Sequence, residues 1–265
     1  MKNLRTYGNA PYTVAVIHGG PGAAGEMAPV ACELSLTLGV LEPLQTERTL
    51  SGQVAELKNV LAGQGDLPVI LIGHSWGAML GFIFTAKNPF MVKKLILVSS
   101  GVFDDRYAAG IMSTRSARLS HKDTIAIDSL VTKLNDPESH NKDRIFAELG
   151  TIIEKADSFD ALDHSREGIK YNYDIYTHVW AEAEALRKSG ALIEPGTQIR
   201  CPVVAIHGDY DPHPADGVKI PLSRVIKNFK FFLLENCGHY PWRERSARDR
   251  FYEILHKELD AEPGR

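Results

Sequence analysis

Cysteine is scarce in this chain: Cys32, Cys201 and Cys237 are the only three in 265 residues, odd in number and far apart. That excludes a disulfide framework, and with no metal-ligand spacing among them no metal site is expected. A reducing, cytoplasmic setting is the default expectation. Long apolar runs are missing as well. The longest, Ala78 to Ala86, is interrupted by Gly81 and Thr85 and falls well short of the roughly 20 residues that span a bilayer, so no membrane association is expected. The opening Leu4-Arg5-Thr6-Tyr7-Gly8-Asn9 is not the apolar core of a secretory signal. Nor is there an excess of charge: 30 basic and 33 acidic residues leave a net charge of −3, which gives no electropositive surface for nucleic acid. The densest basic cluster, Arg243 to Arg250, is broken by Glu244 and Asp249 and reads as a solvated helix face. No repeat or low-complexity tract occurs.

What is present is an alternation of short β-branched runs with longer helix-like segments, the pattern of a mostly parallel α/β sheet wrapped by crossover helices. Strands are expected at Thr13–His18, Gly39–Leu44, Val69–Gly73, Lys94–Ser99, Val203–His207 and Phe231–Leu234. Most show little alternation, as strands buried on both faces should. Helices are expected at Thr49–Ala62, Trp76–Lys87 and Ala247–Leu259; the last carries Phe251, Ile254, Leu255 and Leu259 on one face, suited to packing on the sheet. Between Val102 and Gln198 the alternation stops. The expected organisation is a core of residues 1–102 and 199–265 with a helical cap, 103–198, inserted after the fourth recognisable strand.

The run Val69 to Leu80 passes from an apolar strand through Gly73-His74-Ser75-Trp76-Gly77 into a helix. A Gly-x-Ser-x-Gly pattern alone is weak, but a strand before it and a helix after it describe a turn that lifts a serine hydroxyl above the sheet. Ser75 is the candidate nucleophile. Serine is a poor nucleophile at neutral pH and needs a base, with an acid to orient that base. In the corresponding chain order, Asp211 follows the Val203 strand and His239 follows the Phe231 strand, where ligands gather in open α/β sheets. Asp209 shares the Asp211 loop but suits a turn. His74, His207 and His213 are expected in structural or supporting positions; His121, His140, His164, His178 and His256 on the surface or cap. His18-Gly19-Gly20-Pro21-Gly22 follows the first buried strand. Its glycines let the main chain approach a substrate, so the amide of Gly20, with Gly19 as second choice, would pair with that of Trp76 as oxyanion donors. His18 would shape that loop. Pro21 and the lack of a following Gly-Lys-Ser/Thr argue against phosphate binding.

These two motifs together resemble the proline iminopeptidase branch of the α/β-hydrolase superfamily, whose members pair an HGGPG loop with a Gly-x-Ser-Trp-Gly elbow. The resemblance implies an α/β-hydrolase fold, Ser75 as nucleophile, Asp211 as acid, His239 as base, Gly20 and Trp76 as oxyanion donors, and no cofactor. Two departures are visible. The family's Asp-Gln-Arg-Gly segment is replaced by Leu41-Glu42-Pro43-Leu44-Gln45-Thr46-Glu47, and only about a dozen residues precede the Thr13 strand, too few for the usual leading hairpin. The expected activity is therefore hydrolysis of a small ester, with cleavage of short peptides or amides as the alternative and a non-catalytic receptor as the rival from another class. An aminopeptidase would need cap carboxylates for the substrate ammonium; Glu148, Glu154, Asp157, Glu182 and Glu184 are the candidates. Tyr173, Tyr176 and Trp180, at helical spacing, would line an apolar pocket or pack the cap core. Epoxide hydrolase or dehalogenase chemistry would require an aspartate where Ser75 stands.

Overall fold

The computed structural model describes residues 3–163 and 165–261. Strand β1 (Leu4–Tyr7) leads into β2 (Tyr12–Ile17), the two-residue β3 (Ala23–Ala24), helix α1 (Ala28–Leu34), β4 (Gly39–Pro43), α2 (Leu50–Gln64), β5 (Val69–His74), α3 (Trp76–Lys87) and β6 (Val92–Val98). Helices α4 (Ile111–Arg118), α5 (His121–Asn135) and α6 (Lys142–Asp157), the short β7 (Lys170–Tyr171) and α7 (Tyr173–Ser189) follow. The chain then returns through β8 (Val203–Gly208), α8 (Asp216–Val225), β9 (Phe229–Leu234) and α9 (Arg248–Asp260).

Seven strands form one sheet in the order β1-β4-β2-β5-β6-β8-β9, and only the β1–β4 pair is antiparallel. Side chains alternate across a strand, and both faces here are covered. Ala15, Ile17, Leu71, Leu97 and Ala205 join a core cluster with α2, α3, α7 and α8. Their neighbours Val14, Val16, Ile72, Val98 and Ile206 join a second cluster with α1 and α9. Two-sided burial is why these strands read as nearly unbroken apolar runs. Phe251, Ile254 and Leu255 of α9 are buried as their spacing requires.

All six expected strands are present within two residues of the expected ends, and α3 spans the expected residues. The segment before β2 forms a single edge strand, β1, paired with β4. Helices α1 and α8, neither anticipated, add to the layers on opposite faces of the sheet, α1 beside α9 and α8 beside α2, α3 and α7. Strand order reverses at β2, whose neighbours are β4 on one side and β5 on the other. Such a switch point opens a crevice at the carboxyl ends of the strands, and the loops after β2 and β5 meet there.

Helices α4 to α7 stand between β6 and β8. They are fixed to the rest of the chain where β7 pairs with β3 and where the Asn172 amide donates to Gly22 O (2.9 Å). Phe82 of α3, fully buried, packs edge-on against Phe103 (4.9 Å) and touches Gly196. It thereby joins the sheet layer to both ends of the helical segment. Phe82→Ala is expected to destabilise the protein by about 3–5 kcal/mol, as large-to-small changes in a packed core do. Urea unfolding checks this: the midpoint should fall with the slope unchanged, and a loss below about 1 kcal/mol would contradict the role given to this side chain.

Candidate active site

Ser75 stands at the turn between β5 and α3 with φ 52° and ψ −113°, a backbone that side-chain-bearing residues rarely adopt. The turn is tight enough that a Cβ on Gly73 would lie 2.1 Å from Gly77 O, and one on Gly77 would lie 2.3 Å from Ile17 O. Both elbow glycines are thus required by close backbone approach. The result is a partly exposed Ser75 in a wall of otherwise buried residues.

Asp211 lies in the loop after β8 and His239 in the loop after β9, and His239 Nδ1 donates to Asp211 Oδ2 at 2.7 Å. The other carboxylate oxygen, Oδ1, accepts from the His213 amide (2.9 Å) and from His213 Nδ1 (2.8 Å). Asp209 faces elsewhere and accepts from the Cys237 amide (3.1 Å). Burial opposes charge on Asp211, yet His239, His207 and His213 together hold its pKa well below the ordinary carboxylate value. Burial opposes charge on His239 too, but the Asp211 carboxylate overrides it and raises that pKa above the ordinary imidazole value. His213 goes the other way, pushed down to about 4, because burial outweighs the pull of Asp211. Asp211, His213 and His239 are also the one group among the described residues close enough to suggest a metal, with ligand atoms within 4.8 Å of one another. Its contacts are the carboxylate–imidazole hydrogen bonds just described, which already engage both carboxylate oxygens.

Ser75 and His239 line one cavity of about 370 Å³, together with Gly20, Tyr176, Trp180 and His213. No hydrogen bond joins Ser75 to His239 among the described residues; such contacts are often long without substrate and tighten on binding. Gly20 has φ +112°, a conformation that favours glycine, and neither its amide nor that of Trp76 has an acceptor among the described residues. The Gly19 amide, in contrast, donates to Glu26 Oε2 (2.9 Å), which removes the second choice for an oxyanion donor. His18 is fully buried. It donates from Nδ1 to Gly19 O (2.8 Å) and accepts from the Gln45 amide at Nε2 (3.2 Å), so it shapes the loop in its neutral form.

The sequence offered no signal for Glu26. This buried carboxylate, besides binding Gly19, receives His74 Nδ1 (2.9 Å), and His74 Nε2 donates to His239 O (2.9 Å). A carbonyl cannot donate, so Nε2 carries a proton, and the Nδ1–Oε2 contact holds another. Burial lowers the His74 pKa, with Glu26 pulling against it, and the proton shared in the Nδ1–Oε2 contact leaves the pair neutral overall. Burial works against the Glu26 charge, but the attraction of His74, with Arg243 and His239 behind it, brings its pKa down to about 2.

Two further expectations are corrected. Tyr176 and Trp180 line the cavity, but Tyr173 does not; it packs on Phe146 (5.7 Å) and Tyr176 (6.1 Å). Arg243 is not part of a solvated helix face: it precedes α9, is 5% exposed, and lines the cavity while donating to Glu154 (3.1 Å). His121, His140 and His178 are exposed, and His164 lies outside the described residues.

Glu26→Ala is expected to cost about 1–3 kcal/mol at neutral pH, because it leaves the Gly19 amide without its acceptor and His74 Nδ1 without its partner in a buried site. The isosteric Glu26→Gln supplies the pH test. Since the folded-state pKa is about 2 against an ordinary 4.5, this stabilisation is complete above pH 4.5 and declines as pH falls toward 2. Urea melts of both proteins across that window should show the gap closing; a gap independent of pH would refute the ionised state of Glu26.

No curated protein sequence matches this chain significantly. Among solved structures, VinJ superposes with a TM-score of 0.67 at 17% identity, over 98% of this chain and 94% of that one. A putative lipase from Acinetobacter baumannii gives 0.63 at 19%, over 97% and 88%, and the enol-lactonase from Burkholderia xenovorans gives 0.62 at 14%, over 97% and 96%. At these identities the likeness is one of fold. The model of the alpha/beta hydrolase family matches residues 15–254, most of the chain, and with its mostly parallel seven-stranded sheet and strand-end site the protein belongs to that family.

Proposed function

We propose that this protein is a serine hydrolase that cleaves small esters through an acyl-enzyme, with Ser75 as nucleophile, His239 as general base and acid, and Asp211 as the group that orients and stabilises His239. The observation that carries the reading is the strained Ser75 turn opening into the same cavity as a His239 whose Nδ1 proton is held by a buried carboxylate. With Nδ1 protonated, Nε2 of His239 is the basic nitrogen available to the cavity.

In the first step His239 Nε2 takes the Ser75 proton as Oγ bonds to the ester carbonyl carbon, and the carbonyl oxygen becomes an oxyanion facing the Gly20 and Trp76 amides. The C–O bond to the alcohol then breaks, and His239 returns the proton to the departing oxygen. Water repeats the sequence on the acyl-enzyme: His239 removes its proton, and the acid leaves as Ser75 recovers its own. On this reading residues 103–198 act as a cap over the site, and Ile127, Phe146, Leu149 and Ile153 from it give the acyl chain an apolar wall.

An ester is favoured over a peptide because the cap acids are already engaged. Asp157 receives Arg115 through two bonds of 2.7 Å, and Glu154 is paired with Arg166 and Arg243. Glu148 pairs with Arg144, Glu184 with Arg187 and Lys188, and Glu182 accepts from the Leu50 amide. A substrate ammonium would have to displace one of these partners.

p-Nitrophenyl esters of short acids should be turned over, and aminoacyl-p-nitroanilides should not. Ser75→Ala should lower kcat/KM by a factor on the order of 10⁴–10⁶ and lose labelling by a fluorophosphonate. Because the base must be neutral, and the His239 pKa is raised, activity should fall on acidification with a midpoint above the ordinary imidazole value of about 6.5. Full activity in Ser75→Ala, or strict dependence on a free α-amine, would overturn the proposal.

A further inference from the structure

The acid of the proposed triad serves two imidazoles, and only one of them has a task in the mechanism. His213 is 8% exposed, lines the cavity beside His239, and also lines an adjoining cavity with Met112 and Arg115. Its Nδ1 is bound to Asp211 Oδ1 (2.8 Å), and the carboxylate is ionised, so Nδ1 carries the proton. The remaining ring nitrogen, Nε2, is then a lone-pair acceptor. It has no hydrogen-bond partner among the described residues, although Asp211 fixes the ring and His207 Nε2 fixes the His213 carbonyl (2.7 Å). With its ring centroid 4.7 Å from that of His239 and the planes inclined by only 31°, His213 sits alongside the base.

We infer that His213 is a specificity-determining residue whose Nε2 accepts a hydrogen bond from the substrate, so that the preferred ester carries an O–H or N–H three or four bonds from the scissile carbonyl carbon, as the esters below do. This rests on the serine-hydrolase reading above. Nε2 faces the cavity; an acceptor that a bound substrate cuts off from water without supplying a donor is costly, so the site discriminates against substrates that lack the matching group. His213 is suited to this because it stays neutral: burial holds its pKa to about 4, so at neutral pH it neither competes with His239 as a base nor repels the imidazolium that forms there. The donor can belong to the acyl part or to the alcohol part of the ester, since both pass beside His239 during the reaction.

Two matched pairs separate these sources. For the acyl side they are p-nitrophenyl 3-hydroxybutyrate against p-nitrophenyl butyrate; for the alcohol side, 2-hydroxyethyl butyrate against ethyl butyrate. In the wild-type enzyme at least one pair should show kcat/KM favouring the hydroxylated ester by about fivefold or more, as one neutral hydrogen bond would give. In His213→Leu that ratio should collapse to about one. General damage to Asp211 or the fold lowers both members of a pair and leaves their ratio intact, so the ratio reports the contact itself. Calorimetric binding of the same esters to Ser75→Ala reads the preference without turnover. A wild-type ratio of one for both pairs, or a ratio unchanged in His213→Leu, overturns the inference while leaving the hydrolase reading in place. Failure of all four esters to react in the wild-type enzyme overturns the hydrolase reading instead.

Discussion

The neutral pair of Glu26 and His74 is the contact on which the site's geometry depends. Three loops that are distant in sequence converge on it: the Gly19 amide donates to the Glu26 carboxylate, His74 belongs to the elbow itself, and the far nitrogen of His74 holds the main-chain carbonyl of His239. A charge buried alone is strongly disfavoured. Glu26 cannot lose His74 without meeting that cost, and the loops the pair ties are held in one relative position. Aromatic packing reinforces this, since the His74 ring lies 4.8 Å from His239 and 4.7 Å from Trp242. The same tie decides which loop amide remains open. Gly19 is consumed by Glu26, and the chain turns at Gly20 with a positive φ that leaves the Gly20 amide without a protein acceptor among the described residues.

A second constraint operates on the other side of His239. Asp211 is buried, yet it stays ionised because donors surround it: the His239 and His213 imidazoles and the His213 amide. Distributing one negative charge over several donors is how a carboxylate survives in a dry site. Between the Glu26–His74 pair at its carbonyl and Asp211 at its ring, His239 is held by both main chain and side chain. Little freedom is left except for the approach of Nε2 to the cavity. Preorganisation of this kind places its cost in folding, not in the reaction.

The sheet and the elbow were legible in the sequence because each leaves a local signature. Strands buried on both faces must be apolar throughout, and a strand running into Gly73-His74-Ser75-Trp76-Gly77 and then a helix has few other meanings. The elements missed lack such signatures. Edge strand β1 is only four residues long and half-exposed, and its Tyr7 and Arg5 are held by the buried Glu42 on the neighbouring strand, a partner no local pattern reveals. Glu26 and Arg243 read as ordinary charged residues among 63. Their importance comes from burial, which is a property of the assembled layers. Nor could aromatic spacing in α7 separate Tyr173, which packs on Phe146, from Tyr176 and Trp180, which reach the cavity; their helical spacing over about two turns places all three on one side, and only the packing against α6 tells them apart.

The acids of the helical segment show how local charge misleads in the same way. In sequence, Glu154 and Asp157 are an acidic pair on one helix, the composition expected of a site for a cationic group. In the fold they face Arg115 of α4, Arg166 from the loop before β7 and Arg243 from the loop before α9, each brought in by a different segment. Ion pairs of low exposure are strong only when both members stay desolvated, so these contacts also join α4, α6 and the β9–α9 loop into one wall. On the proposed reading, a cation entering the cavity would have to break that wall to reach Glu154 or Asp157, or part Glu26 from His74, whereas a neutral ester would lie against Ile153 and Phe146 and leave them whole. On the ester reading proposed above, the wall that ties the helical segment to the core would also disfavour a cationic substrate, so that cohesion and selectivity would come from the same arginines.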